Sequence, residues 1–360
     1  MLNRGFIMKR RSFLKIVGGA ASSYFLAGTK LQATETKTKE NDGKASEFPK
    51  RTLGRTGRKI SIIGFPGLAL TRGSQDECTK AIHRAFEQGI NYFDVAPSYG
   101  DGDAEVKMGI GLQGIGRDKI FLSCKTQKRD KEGAREELER SLSRLKTDHF
   151  DLYQLHSITR ANDVEQALGP GGAMETFIKA KEEGKVKHLG FSAHTTKAAI
   201  AAMKGFSFDT AMFPVNFVEY FKFGFAKEVM ELAKEQGVAV IAIKAMAGGN
   251  WPDRNERTRD HWYRTLEKDD EIALALRFTL SQETVVTAIP PGFLDLLDKA
   301  IPAGKSYSKI TEAETQKLQE MADSAQSVFQ RWQDRFATGK SSPGPLYADC
   351  PDECCPYSHA

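Results

Sequence analysis

Eight short apolar runs constrain the fold of this chain more than any other feature of its sequence. They are Ile60–Gly64, Asn91–Val95, Ile120–Cys124, Phe150–Leu155, Val186–Phe191, Thr210–Val215, Val238–Ile243 and Thr284–Ile289. Most are apolar at nearly every position, as strands buried on both faces are. Between them lie stretches of helical periodicity: Asp76–Gln88, Arg135–Leu145, Met174–Glu183, Ala226–Gln236 and Glu271–Leu280. Gly89, Gly184 and Gly237 follow three of these, where a left-handed helix cap favours glycine. Eight strand–helix units within about 240 residues predict an α/β domain of the (β/α)8 TIM-barrel type. A doubly wound open sheet is the structural alternative. Against it, the first run continues as Gly64-Phe65-Pro66-Gly67-Leu68 rather than into a G-x-G-x-x-G turn. The segment from Ala247 to Lys268 is long for a connection, and long barrel loops often act as lids.

Charge narrows the class of partner. The formal net charge is +5, but Arg4, Lys9, Arg10, Arg11, Lys15 and Lys30 all fall within residues 1–33, which hold no acid, so the remainder carries −1. That balance gives no electrostatic case for nucleic acid or an anionic membrane. No apolar run reaches the roughly 20 residues of a spanning helix, so no stable membrane anchor is expected. Met8-Lys9-Arg10-Arg11-Ser12-Phe13-Leu14-Lys15 precedes the modestly apolar Ile16–Ala27. A charged region before a short apolar one reads as a secretory signal, and the paired arginines resemble the twin-arginine type. Met8 is the alternative start to Met1, cleavage after Ala33 is one reading, and a disordered basic tail is the other view of the segment. The expected organisation is a signal at 1–33, a flexible polar linker at 34–50, the barrel at 51–302 and a C-terminal extension at 303–360. The protein is then periplasmic or otherwise exported, with the twin-arginine export machinery as a partner.

The chemistry is written where polar side chains interrupt the apolar runs. The second run holds Asp94, with Tyr99 five residues on; the third is followed by Lys125 and the fourth by His156. In a parallel barrel the C-terminal strand ends share one face, where active sites sit. A carboxylate, a phenol, an amine and an imidazole therefore converge. Reduction of a carbonyl leaves an alkoxide that needs a proton. Tyrosine, with a pKa of about 10, is a poor acid until a nearby ammonium stabilises its phenolate. Lys125 supplies that ammonium, Asp94 holds it, and a His at the same mouth hydrogen-bonds the carbonyl oxygen. Each residue alone has a bland explanation, as a turn cap, a rim charge or a structural histidine. Together, in order on consecutive runs, they favour a catalytic reading.

On these residues the sequence resembles the aldo-keto reductases, from about Arg51 to Ile301. The match begins with Leu53-Gly54-Arg55-Thr56-Gly57 and is most specific at Phe93-Asp94-x4-Tyr99-Gly100, followed by Glu105 and Gly109. Cys124-Lys125-Thr126, Asp151-Leu152-Tyr153-Gln154-Leu155-His156 and Leu189-Gly190-Phe191-Ser192 extend it. The resemblance implies a tetrad of Asp94, Tyr99, Lys125 and His156, with Tyr99 as general acid, acting on a small-molecule carbonyl: an aldehyde, ketone or sugar. It also implies a nicotinamide cofactor, NADP or NAD, held by Ser192, Asn216, Lys244, Met246, Gly248, Pro290 and Gly292. Where the family usually carries basic residues that grip a 2′-phosphate, this chain has Leu294-Asp295-Leu296-Leu297-Asp298. A carboxylate there repels a phosphate and accepts a ribose hydroxyl, which makes NAD a serious option.

Cys78 and Cys124 fall in apolar patterns and read as small core residues. Cys350, Cys354 and Cys355 cluster near the end without the C-x2-C-x2-C-x3-C run of a cluster-binding tail, so a disulfide or free thiols is the leading reading and an iron–sulfur cluster the other. No metal site is otherwise expected. Thr311–Arg335 has helical periodicity. The alternative to an enzyme is a nucleotide-retaining redox sensor or interaction subunit, with a redox partner. A barrel hydrolase or isomerase without nucleotide needs a carboxylate pair or metal cluster that the strand ends do not show.

Overall fold

The structure, a computed structural model, describes residues 47–330. The readings placed on residues 1–46 and 331–360, among them the export signal and the three C-terminal cysteines, lie outside the described residues.

Among the described residues ten strands form in chain order: β1 (Lys50–Thr52), β2 (Lys59–Ser61), β3 (Phe65–Pro66), β4 (Tyr92–Asp94), β5 (Phe121–Thr126), β6 (Phe150–Ile158), β7 (Val186–Ala193), β8 (Thr210–Pro214), β9 (Ala239–Ile243) and β10 (Val285–Ile289). Strands β3 to β10 pair in sequence order, all parallel, in one eight-stranded sheet. A parallel bridge between Ile63 and Ala288 joins its two edges, with Gly64 N donating to Ala288 O at 3.0 Å and Ala288 N to Ile62 O at 2.9 Å. This is the (β/α)8 barrel.

The helices on its outside are α1 (Gln75–Glu87), α2 (Asp103–Gly111), α3 (Lys131–Arg144), α4 (Ala161–Leu168), α5 (Ala173–Glu182), α6 (Thr196–Gly205), α7 (Phe217–Phe223), α8 (Lys227–Gln236), α9 (Asp269–Leu280), α10 (Leu294–Lys305) and α11 (Glu312–Asp323). Their ends follow local chemistry. Ser74 and Glu77 form a reciprocal capping box on α1, and Thr311 and Glu314 do the same on α11. Asp130 caps α3 by accepting from Gly133 N at 2.7 Å. Gly184 and Gly237, at φ 75° and 66°, close α5 and α8 in the left-handed region.

Two apolar clusters follow from the alternation of side chains along a strand. One lies between strands and helices and includes Phe65, Phe93, Phe150, Phe191 and Phe213. The other fills the barrel axis with Ile60, Tyr92, Phe121, Leu152, Met212 and Ile241. Each such side chain, once buried, contributes about 1.5–3 kcal/mol against exposure.

Three expectations are corrected. Ile60–Gly64 is not the first barrel strand: Lys59–Ser61 pairs antiparallel with Lys50–Thr52, and the barrel strand is Phe65–Pro66. The hairpin carries Leu53 and Ile60 into the axial cluster, so the apolar pattern there serves a floor rather than a wall. The linker does not extend to residue 50, because Phe48 is buried against Gly89 and Gly304. The expected helix at 311–335 ends at Asp323. The chain then returns to the barrel mouth, where Glu219 accepts from Val328 N and Ser327 Oγ, and Phe329 stacks on Phe225 with ring centroids 5.3 Å apart.

Candidate active site

The inward positions of β4, β5 and β6 change from apolar to polar toward their C-terminal ends. Tyr92 gives way to Asp94, Phe121 to Ser123 and Lys125, Leu152 to Gln154 and His156. The four predicted catalytic residues meet there. Lys125 is fully buried; its Nζ donates to Asp94 Oδ2 at 2.5 Å, to Val95 O at 3.2 Å and to Tyr99 Oη at 3.3 Å. The Tyr99 and His156 rings meet edge to face, with centroids 5.7 Å apart.

Local backbone geometry aims each group. Tyr99 begins a short turn in which Gly100, Asp101 and Gly102 all have positive φ, at 60°, 50° and 92°. Asp101 is an uncommon conformation for a residue with a Cβ. The register of β6 against β7 shifts between Leu155 and Ile158, and Ser157 sits at φ 55°. His156 is inward by alternation with Leu152 and Gln154, and the irregularity lies beside it at Ser157, as bulges next to active sites do. Ser157 N donates to Ser192 Oγ at 2.7 Å, locking the two strand ends together.

Burial sets the charge states. Desolvation, with Lys125 next, holds the pKa of His156 well below 6.5, so the ring is neutral at pH 7. His194 is lowered to about 3 by desolvation and by Lys244. Burial raises Asp94, opposed by the Lys125 ammonium.

Above the tetrad lies a cleft, open to solvent and lined in part by Asp94, Tyr99 and His156. Of the predicted nucleotide-binding residues, Ser192, Lys244, Pro290 and Gly292 line it. Asn216, Met246 and Gly248 do not. Asn216 caps α7 by accepting from Glu219 N at 3.0 Å, and its buried Nδ2 has no partner among the described residues. Met246 is fully buried. Gly248 pairs its backbone N with Arg264 O at 2.8 Å, tying the strand end to the far side of the long loop.

Among the lining residues that the sequence reading did not assign to the site are His194, His261 and Tyr263. His261 and Tyr263 belong to the long 247–268 segment, whose length was the one available signal. Lys244, at φ 62°, lies 5.1 Å from the ring centroids of both Trp262 and Tyr263. The same segment sends Arg259 to Asp295, with Nη1–Oδ1 3.0 Å and Nη2–Oδ2 2.5 Å, and Asp298 pairs with Arg84. The carboxylates read as an open repulsive face are thus both in ion pairs.

The cleft suits a nicotinamide nucleotide: apolar walls from Leu68, Met212 and Ile243, hydroxyl and ammonium groups from Ser192 and Lys244, and Gly67 and Gly292 at close approaches. A methyl at Gly67 would overlap the Asp94 carbonyl oxygen. Among the described residues no group of three or more His, Cys, Asp or Glu is placed to hold a metal, and no helix is long and apolar enough to cross a membrane.

The chain is thus a parallel barrel with these four groups at one rim. The sequence profile of the Aldo/keto reductase family matches residues 63–327, and the chain belongs to that family. An uncharacterized oxidoreductase of Bacillus subtilis is 31% identical over 156 residues, covering 40% of this chain and 48% of the relative. L-galactose dehydrogenase of Arabidopsis thaliana is 30% identical over 155 residues, covering 39% and 47%. The chain thus spans about half the length of these curated relatives. The fold is similar to an aldo-keto reductase from Bacillus halodurans in its holo form (TM-score 0.63, 23% identity, 80% of this chain and 100% of that one). It is also similar to one from Klebsiella pneumoniae in complex with NADPH (TM-score 0.59, 20% identity, 76% and 95%).

Proposed function

We propose that the protein is an NAD(P)-dependent oxidoreductase that interconverts a carbonyl and an alcohol, with Tyr99 as the general acid. The observation that carries this reading is the buried Lys125 ammonium bridging Asp94 at 2.5 Å and Tyr99 Oη at 3.3 Å. When bound, the reduced nicotinamide supplies the hydride.

The protein's own groups then have defined tasks. The substrate oxygen gains charge and takes a proton from Tyr99 Oη. Lys125 stabilises the phenolate left behind, and Asp94 fixes Lys125 in place. Ser98 Oγ lies 3.4 Å from His156 Nδ1. With Nδ1 accepting from that hydroxyl, the neutral ring carries its proton on Nε2 and keeps it there, hydrogen-bonding the substrate oxygen while Tyr99 supplies the one proton transferred. The alcohol oxidation reverses each transfer.

NAD is favoured over NADP. Loops after the last two strands of a barrel, with the following helix N-terminus, commonly seat phosphates. Here that place holds Asp295 in the first turn of α10, with Arg259 already paired to it. The arginine-rich N-terminal segment supports export, and an exported enzyme outside the nicotinamide pool needs a tightly retained nucleotide.

Purified protein released into denaturant and analysed by mass spectrometry tests this: NAD is expected, and a protein that neither carries nor binds either dinucleotide refutes the reading. Tyr99→Phe is expected to abolish turnover of aldehydes, ketones and aldoses while leaving dinucleotide affinity within about twofold, as loss of a group used only in the transition state does. Retained nucleotide with no turnover by the wild type would favour the redox-sensor reading.

A further inference from the structure

Successive residues of a strand point to opposite faces, so Lys125 enters the barrel while Cys124 points outward into the layer between α2 and α3. There it meets a carboxylate that the mechanism does not use. Glu105 is fully buried, accepts from Cys124 Sγ at 3.6 Å, and accepts from Arg144 Nη1 at 3.1 Å. Arg144 is the last residue of α3; Glu105 lies in the first turn of α2.

The pair also touches the Tyr99 turn. The N–H of Asp103, the first residue of α2, donates to the carbonyls of Tyr99 and Gly100. The Arg144 guanidinium packs so closely on Gly102 that no Cβ fits between them. The Arg144 carbonyl oxygen likewise excludes a side chain at Gly109. One ion pair, with its carboxylate buried and its arginine part-exposed, thus grips the turn that presents the phenol and the strand that presents the ammonium.

We propose that Glu105 and Arg144 are positioning residues that set the Tyr99–Lys125 contact. An ion pair whose arginine keeps 29% of its side chain exposed contributes little to stability by itself. What it adds here is a fixed direction from each partner. The turn it holds contains three consecutive left-handed residues, including Asp101, a conformation that persists only where the surroundings impose it. Lys125 from β5 and the His156 ring from β6 face the phenol, with Asp94 from β4 behind Lys125. Glu105 and Arg144 act on it only through backbone and through Cys124.

The proposal rests on Tyr99 being the acid, so its test reads the phenol directly as well as turnover. In full-length protein labelled with 13Cζ-tyrosine, the Tyr99 resonance is identified by its loss in Tyr99→Phe and followed against pH. In Arg144→Met the Tyr99 ionisation is expected to move to higher pH. Turnover is expected to fall roughly tenfold to a hundredfold with dinucleotide affinity within about twofold, the pattern of a small misplacement in a preorganised site. Guanidinium ion is expected to restore part of the loss in Arg144→Ala, because the vacated space at Gly102 and Glu105 fits it. An unmoved Tyr99 titration with unchanged turnover overturns the proposal. If Arg144→Met does not fold, the charge-neutral double variant Glu105→Gln/Arg144→Met takes its place and is read the same way. A wild type without carbonyl turnover refutes the reductase reading, whereas the titration still decides whether Glu105 and Arg144 govern the phenol.

Discussion

Lys125 Nζ sits 2.5 Å from Asp94 Oδ2 with the lysine side chain wholly buried and the aspartate 4% exposed. Removing one partner of such a pair strands the other charge. Lys125→Met is therefore expected to cost about 3–5 kcal/mol of stability near pH 8, besides abolishing turnover. Burial already raises the Asp94 pKa, so the cost shrinks at lower pH as the stranded carboxylate takes a proton. The double variant Asp94→Leu/Lys125→Met regains most of the stability and none of the activity. Urea denaturation of both variants at two pH values checks this; a single variant as stable as the double would contradict it.

His156 and His194 resist protonation in the folded state, the latter down to about pH 3. The unfolded chain takes up those protons near pH 6.5, and a proton bound only by the unfolded chain favours unfolding. Their contribution to stability is thus whole above pH 6.5 and drains away as pH falls toward 3, at no more than about 1.4 kcal/mol per pH unit for each ring. His194→Gln is expected to flatten the decline in stability between pH 7.5 and pH 4.5. A variant whose stability falls as steeply as the wild type's would show that His194 is not the source.

Asp295 holds Arg259 by both guanidinium nitrogens at the start of α10. Asp295→Asn breaks the ion pair and frees Nη1 and Nη2 of Arg259 for a 2′-phosphate, while Glu267 still holds its Nε. The ratio of NADP to NAD affinity is expected to rise roughly tenfold or more, since an arginine–phosphate pair is a strong charge-assisted contact. Arg259→Met in the Asp295→Asn background should cancel the gain. Calorimetric titration with each dinucleotide decides; a wild type that prefers NADP would reverse the assignment.

Inside the barrel, beneath the tetrad, Gln154 Oε1, Thr210 Oγ1 and Thr287 Oγ1 are buried without hydrogen-bond partners among the described residues. Buried polar atoms rarely stay unpaired, and a polar site of this kind holds water. A high-resolution crystal structure is expected to show ordered water on at least two of these atoms. A dry, apolar-packed axis at that level would be inconsistent with it.

The amino-acid order by itself determined the barrel and the tetrad. Continuous apolar runs at regular spacing admit few architectures, and a polar residue at a strand's end is visible because every neighbour is apolar. Parallel strands then bring Asp94, Lys125 and His156 to one rim without further information, and Tyr99 follows at a fixed distance along the chain. Only the tertiary structure decided what the loops bring back. His194, His261 and Tyr263 line the cleft, while Asn216, Met246 and Gly248 turn to capping, packing and backbone pairing. Likewise, Lys59–Ser61 pairs across the barrel floor rather than within its wall, although its alternation fits either. The physical reason is common to these cases. Strand periodicity is a local signal that fixes direction, whereas a loop residue's contacts depend on partners far along the chain. Arg259 finds Asp295 and Arg144 finds Glu105 across 36 and 39 positions, and no local pattern marks those pairs.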